Sequence, residues 1–241
     1  RVNDFVQDSG VNVNKKPEIQ TNVENLFRLI IDRVKSEKLL EEGKIDPFNM
    51  MMPTARFVTL SNESLWNNIT KNIINVLENK NFRANAFILT DVVMAYANYY
   101  LYLIEQTVAS GKKFEDNLFL QNFEKFWKMI EGHILTIDEK EFEIPNIANI
   151  VLDLSQIDIE LNKAWGYLAD MTRLKLKDFD KHNFILAIMG FSKSGIEDKA
   201  LWNDLKGYVK DHLNEFKIDE LKKIILAFIN IKETGDRKSV V

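Results

Sequence analysis

The chain has 241 residues, of which 46 % are apolar and 28 % are charged, as is usual for a globular protein. It contains no cysteine, which excludes disulfide bridges, thiol catalysis and cysteine-based zinc or iron–sulfur sites. The net charge of −4 argues against a general nucleic-acid binder, although residues 161–241 carry 15 basic and 12 acidic side chains.

The first 62 residues predict a tail, one helix and a loop. Residues 1–20 are polar and show no helical stripe, so we predict an extended tail there. Residues 21–62 predict an N-terminal helix, because apolar side chains recur at helical spacing over 22–40, and then a loop containing Gly43, Pro47 and Pro53. The methionine triplet in this loop is either packing beneath it or a soft binding surface.

Four tryptophans mark a repeated pattern between residues 63 and 241: Trp66, Trp127, Trp165 and Trp202. The last three are 38 and 37 residues apart, whereas the first two are separated by 61 residues, which we interpret as one repeat plus an insertion at about 96–125. A phenylalanine follows each tryptophan after 14 to 16 residues, and a second apolar helix follows each phenylalanine: Phe82, Phe142, Phe179 and Phe216.

This pattern predicts an all-α fold, a solenoid of stacked helix-turn-helix repeats with a period of about 37 residues. In each repeat the tryptophan anchors the first helix against the next repeat, and the phenylalanine packs at the turn. A single helix pair cannot bury both of its apolar faces, so the pairs must stack. Residues 63–241 are therefore predicted to form one helical-repeat domain.

The most apolar segment is residues 86–104, AFILTDVVMAYANYYLYLI. Its length approaches that of a membrane-spanning helix, but Asp91 and Asn98 interrupt it, and a charge in the middle of a bilayer is unfavourable. We therefore predict a helix buried among other helices, and leave membrane association, without a confident span, as an alternative.

Residues 184–205, FILAIMGFSKSGIEDKALWNDL, together with Phe216 and Leu221, resemble the repeat unit of heptatricopeptide and octotricopeptide proteins. Such repeats occur in the RAP-domain and FAST-kinase-like organellar family. The resemblance spans roughly residues 63–232 and is best over 164–232. It implies a right-handed α-solenoid, a mitochondrial or plastid setting, and relatives that mostly bind organellar RNA.

No catalytic or metal-binding pattern is present in the sequence. The three histidines, His133, His182 and His212, form no His-Glu-x-x-His motif, and glycine-rich phosphate loops and nucleophile elbows are missing. The acidic segment 153–160 lacks the central glycine of a calcium loop and is interpreted as a helix start or a loop. We therefore predict no catalytic residue, metal or cofactor, and no enzymatic activity.

Basic side chains in the C-terminal third form the candidate site for RNA or a protein partner: Arg173, Lys175, Lys177, Lys206, Lys210 and Lys222. Stacked repeats could align them into a ridge that follows phosphates. Alternatively they belong to the solvated faces of amphipathic helices, since acidic residues alternate with them.

Two functional hypotheses follow. The first is a non-catalytic scaffold or accessory subunit of a large mitochondrial complex, such as a respiratory-chain complex, the ATP synthase or the mitochondrial ribosome, that acts through contacts with other protein subunits. The alternative is an organellar RNA-binding repeat protein that stabilises or positions transcripts or ribosomal RNA. A third hypothesis is a membrane-peripheral protein or an adaptor protein of the cytosol.

Overall fold

The computed structural model describes residues 16–111 and 117–238, and over these residues it is helical throughout, without a β-strand. The prediction of an all-α fold is therefore confirmed. Two short 3-10 turns, Leu176–Asp178 and Leu213–Glu215, accompany the α-helices of the described residues. These helices are α1 (Lys16–Ser36), α2 (Pro47–Arg56), α3 (Glu63–Leu77), α4 (Ala86–Ser110), α5 (Leu118–Gln121), α6 (Phe123–Ile134), α7 (Ile144–Leu154), α8 (Asn162–Lys175), α9 (Lys181–Ser194), α10 (Lys199–Asp211) and α11 (Ile218–Lys238).

The chain divides into two compact units. The N-terminal unit comprises the described residues up to 79 together with those described between 102 and 122, and the C-terminal unit comprises residues 80–101 together with those described from 123 onward. These boundaries differ from the predicted domains, because α3 contacts α2 and α5 within the N-terminal unit. The long helix α4 contributes residues to both units.

Helix α1 begins at Lys16, inside the segment predicted to be an extended tail. Pro17 does not oppose this start, because the amides of a first helical turn have no partner within the helix. The helix also ends at Ser36, four residues before the predicted end. The rest of the predicted tail, residues 1–15, lies outside the described residues.

The segment 41–62 was predicted to be a loop, but it contains helix α2. Asp46 caps this helix, since its side chain accepts a hydrogen bond from the Phe48 amide at 3.0 Å, and Pro47 follows at the first helical position. Met50 and Met51 are buried and Met52 is half-buried. The methionine triplet therefore packs into the N-terminal unit.

The helices of the C-terminal unit contact one another in two rows. Helix α7 packs against α9, and α9 packs against α11. In the other row, α6 packs against α8, and α8 packs against α10. A buried phenylalanine lies two residues before each helix of the first row: Phe142, Phe179 and Phe216.

Helices α7 and α9 approach each other closely at Gly190. A Cβ atom at this position would lie 2.6 Å from the carbonyl oxygen of Val151 and 2.7 Å from its Cγ1 atom. Glycine at this position therefore lets the two backbones come together.

The N-terminus of α8 is completed by a side chain from another helix. Leu161, at the N-cap position, has no side chain that could accept a hydrogen bond. The buried carboxylate of Glu131 on α6 takes this role, because its Oε1 atom accepts the amides of Lys163 at 3.0 Å and Ala164 at 3.1 Å. A negative charge at a helix N-terminus is also stabilised by the helix dipole. Glu131 thus joins α6 to α8 by hydrogen bonds as well as by packing.

Replacing Glu131 with alanine is expected to lower the free energy of unfolding by about 2 kcal/mol, because two amides near the start of α8 lose their acceptor. The Glu131→Gln variant keeps a side-chain oxygen and should lose about half as much. Urea unfolding followed by circular dichroism measures both changes. Equal losses in the two variants would show that the charge, and not the hydrogen bonds, stabilises the helix start.

Candidate interaction surfaces

Most of the predicted repeat anchors are core residues. Six of the eight are buried, namely Trp66, Trp127, Trp202, Phe142, Phe179 and Phe216. The indole N–H groups of Trp66 and Trp202 donate to Ser61 Oγ at 2.9 Å and to the Ile196 carbonyl at 2.8 Å. Trp165 and Phe82 are only half-buried, so these two side chains differ from the others.

Two of the six predicted basic residues are held in ion pairs. Arg173 donates from Nε to Asp204 at 2.9 Å, and its Nη1 atom lies 3.6 Å from Asp170 Oδ1. The pairing with Asp204 is the main reason that the pKa of Arg173 is raised. Lys222 pairs with Asp219 at 3.0 Å.

The remaining four basic residues are spread over three elements. Lys206 and Lys210 are exposed on α10, one turn apart, but they project about 200° and 240° around the helix from Asp204. Since Asp204 is the residue that meets Arg173, these lysines lie on another side of α10. Lys175 is half-buried at the end of α8, and Lys177 is exposed in the turn that follows. The six residues thus form no single run of unpaired positive charge.

Each of the three histidines has a different environment. His133 lies edge-on to Phe82, His212 stacks on Tyr208 with ring centroids 4.1 Å apart, and His182 is exposed. Across the residues described, no group of three or more acidic or histidine side chains could hold a metal ion.

Helix α4 is the one described helix that is long and apolar enough to cross a membrane, with a mean hydropathy of 1.3 over its most apolar window. Within the C-terminal unit its inner side is packed: Tyr96 lies with its ring centroid 4.4 Å from that of Phe126, and Tyr100 stacks on Phe123 at 4.9 Å. Of that window, 44 % is buried. Core helices share this combination of length and apolar composition.

An exposed aliphatic face runs along α11, and we call it the α11 face. Ile218, Ile225 and Ile229 recur at helical spacing on one side of the helix, with Leu226 beside them, and their exposed fractions lie between 45 % and 75 %. The residues that lie 37 positions before Ile225 and Ile229 are buried on α9, namely Ile188 and Ser192. Ser192 donates to the Ala227 carbonyl of α11 at 3.0 Å. On α11 the corresponding positions are exposed.

A second surface is an open cleft of about 780 Å³ in the C-terminal unit, which we call the acidic cleft. Its walls are the segment between α7 and α8 and the segment between α9 and α10. Four carboxylates and a single lysine line it, together with the half-buried Trp165, Ile159 and Ile196. The four carboxylates belong to Asp158, Glu160, Glu197 and Asp198. The sequence analysis did not predict this cleft.

The groups around the acidic cleft have distinct roles. Asp198 is occupied, because it caps α10 by accepting the amides of Ala200 and Leu201. The amino group of Lys193, the one lysine in the lining, donates to the Gln156 side-chain oxygen. Asp158 also acts on Tyr100, which does not line the cleft: burial, and then this carboxylate, raises the pKa of Tyr100 above its ordinary value.

Comparison of the chain with protein-family models, with curated proteins and with solved structures finds no match. Over the described residues the protein is thus all-α, and in its C-terminal unit the helices contact one another in two rows. Its candidate site is a pair of interaction surfaces, the α11 face and the acidic cleft.

Proposed function

We propose that this chain is a non-catalytic helical-repeat scaffold, an accessory subunit that binds other proteins within a larger assembly. The single observation that carries the proposal is the α11 face, because a row of exposed aliphatic side chains on one helix face is the kind of surface that marks a protein–protein contact. A mitochondrial setting is part of the proposal and rests on the repeat resemblance.

Together with the scaffold function we propose the repeat architecture, which is a right-handed solenoid with a period of about 37 residues. Helices α7, α9 and α11 begin at Ile144, Lys181 and Ile218, which are 37 residues apart in both steps. The alternating contacts of the two rows are those that stacked helix pairs make. Both observations support the period, and the handedness is implied by the resemblance.

The occupant proposed for the α11 face is a helix of a partner subunit that continues the row of α7, α9 and α11. The row of helices continues at this face, since Ile188 and Ser192 of α9, which correspond to Ile225 and Ile229, are buried and Ser192 bonds to α11. Helices that bury an apolar stripe against a neighbour use this i, i+7, i+11 spacing. A second copy of the chain is the competing occupant.

The RNA-binding alternative receives less support from the geometry. Arg173 and Lys222 are paired with carboxylates, which leaves fewer positive charges for phosphates. Lys206 and Lys210 are the neighbouring exposed pair that an RNA contact would use.

A native purification of the tagged chain, sized before and after ribonuclease treatment, tests the proposal. We expect a large particle that ribonuclease does not alter. We also expect the Ile225→Asp, Ile229→Asp double variant to reduce the amount of co-purifying subunits at least tenfold, because two charges would have to be buried at the contact. The variant should keep the circular dichroism spectrum of the parent, since both side chains are about half exposed.

The matched control is the Leu174→Asp, Val108→Asp double variant, which places the same two charges at exposed apolar positions elsewhere. This control variant should still purify in the large particle with the same amount of partner subunits. Collapse of the particle on ribonuclease treatment would favour the RNA alternative. Purified chain that self-associates, and becomes monomeric in the α11 variant, would show that a second copy is the occupant and would overturn the proposed partner.

A further inference from the structure

We infer that the acidic cleft binds an arginine-bearing segment of a partner protein, with the guanidinium held between Trp165 and the carboxylates of Asp158 and Glu160. The cleft is separate from the α11 face, so this binding neither requires nor follows from the scaffold contact. Its support comes from the shape of the cleft, from the unusual position of Trp165 and from the charge of the lining.

The shape of the cleft suits a side chain that enters from solvent. A volume of about 780 Å³ lies within the range of small-ligand sites, and the cleft is open along two loops rather than closed. Gly166 adds to the open space, because a Cβ atom there would meet nothing within 4 Å. The lining is mixed, with half-buried Ile159 and Ile196 beside the carboxylates. Such a mixture fits a long side chain whose stem is apolar and whose tip is charged.

Trp165 is the unusual tryptophan of the four. The other three are buried, and those at 66 and 202 direct their indole N–H groups to acceptors of the protein. Trp165 is half-buried, lines the cleft and contacts Phe191 with ring centroids 6.1 Å apart. A partly exposed indole beside negative charge is a favourable surface for a cation, and arginine is the cation that most often stacks on it.

The charge of the lining favours a cationic occupant. Asp158 and Glu160 are exposed on one wall, and Glu197 is exposed on the other. The one lysine of the lining is engaged, since Lys193 bonds to Gln156. Lys128 donates to the Glu160 carbonyl and to Glu131. A planar guanidinium can pair with a carboxylate through two hydrogen bonds while its face rests on the indole. An anionic segment, including RNA, would meet repulsion at the same place.

The test uses the full chain labelled with nitrogen-15 and the peptide Gly-Ser-Arg-Gly-Arg-Ser-Gly. The indole N–H signal of Trp165, assigned with the Trp165→Phe variant, should move saturably with peptide, while the signals of the other tryptophans should not. The same peptide with citrulline in place of arginine keeps the shape but removes the charge. We expect it to bind at least tenfold more weakly.

The Asp158→Asn, Glu160→Gln double variant should weaken binding of the arginine peptide at least tenfold. The matched control is Glu124→Gln with Glu139→Gln, which removes the same charge from residues that do not line the cleft, and it should stay within twofold of the parent. Equal binding of both peptides, or equal weakening by both double variants, would overturn the proposal. The Ile225→Asp, Ile229→Asp chain should bind the peptide normally, which keeps this result distinct from failure of the proposed scaffold function.

Discussion

Replacing Gly190 with alanine is expected to lower the free energy of unfolding of the C-terminal unit by about 3 kcal/mol, at the upper end of the range for overpacked cores. The added Cβ atom would lie 2.6 Å from a backbone oxygen of Val151, and a backbone atom cannot rotate away as a side chain can. Helices α7 and α9 would have to separate, which would loosen the more extensive of the two contacts in that row. Urea unfolding followed by circular dichroism measures the effect.

The matched control for this variant is Gly166→Ala on α8, where a Cβ atom would meet nothing within 4 Å. Alanine in an exposed helix interior should raise the free energy of unfolding by roughly 0.5–1 kcal/mol, because glycine has more backbone freedom to lose. The two variants should therefore change stability in opposite directions. If Gly190→Ala also stabilised the protein, α7 and α9 would have to lie farther apart than the structure has them.

The second large effect is expected for Phe184→Ala, which should lower the free energy of unfolding by about 4 kcal/mol. Phe184 is fully buried on α9, stacks on Tyr208 with ring centroids 4.4 Å apart and lies 5.9 Å from the ring of Phe216. One side chain thus joins α9, α10 and Phe216, which lies two residues before α11. Truncation would leave a cavity at this junction, and urea unfolding would show the loss.

Tyr208→Phe provides the comparison for Phe184→Ala. The Tyr208 hydroxyl donates to the Phe179 carbonyl at 2.6 Å, so removing it should lower the free energy of unfolding by only about 1 kcal/mol. Similar losses in the two variants would mean that the hydrogen bond, and not the packing of the rings, holds the junction together.

Much of the helical order was predictable from periodicity. The phenylalanines at 142, 179 and 216 are buried two residues before helix starts, because an aromatic ring fills the space where the chain turns. Helix α2 was missed because Pro47 and Pro53 were interpreted as loop residues. The informative signal was the pair Asp46-Pro47, a capping residue followed by proline at the first helical position.

The interaction surfaces were harder to predict from the sequence than the helices were. Arg173 and Asp204 are 31 residues apart, so their ion pair depends on how α8 and α10 pack, which residue spacing does not reveal. The acidic cleft likewise combines two segments about 40 residues apart in the chain. A partial signal existed in the acids of residues 153–160 and in Trp165 followed by Gly166. Their spacing along the chain does not by itself predict that they line one cleft.

The capping of α8 by Glu131 has a consequence for how this chain can be divided and recombined. Helices α9 and α10 carry their own caps, Asp180 and Asp198, so each contains what its N-terminus needs. Helix α8 depends on a carboxylate that lies about 32 residues earlier in the chain. A duplication, or a graft into another helical array, that began at α8 would therefore leave its N-terminus frayed. Engineering that treats the helix pairs as interchangeable modules should begin at α6, so that Glu131 and α8 stay together.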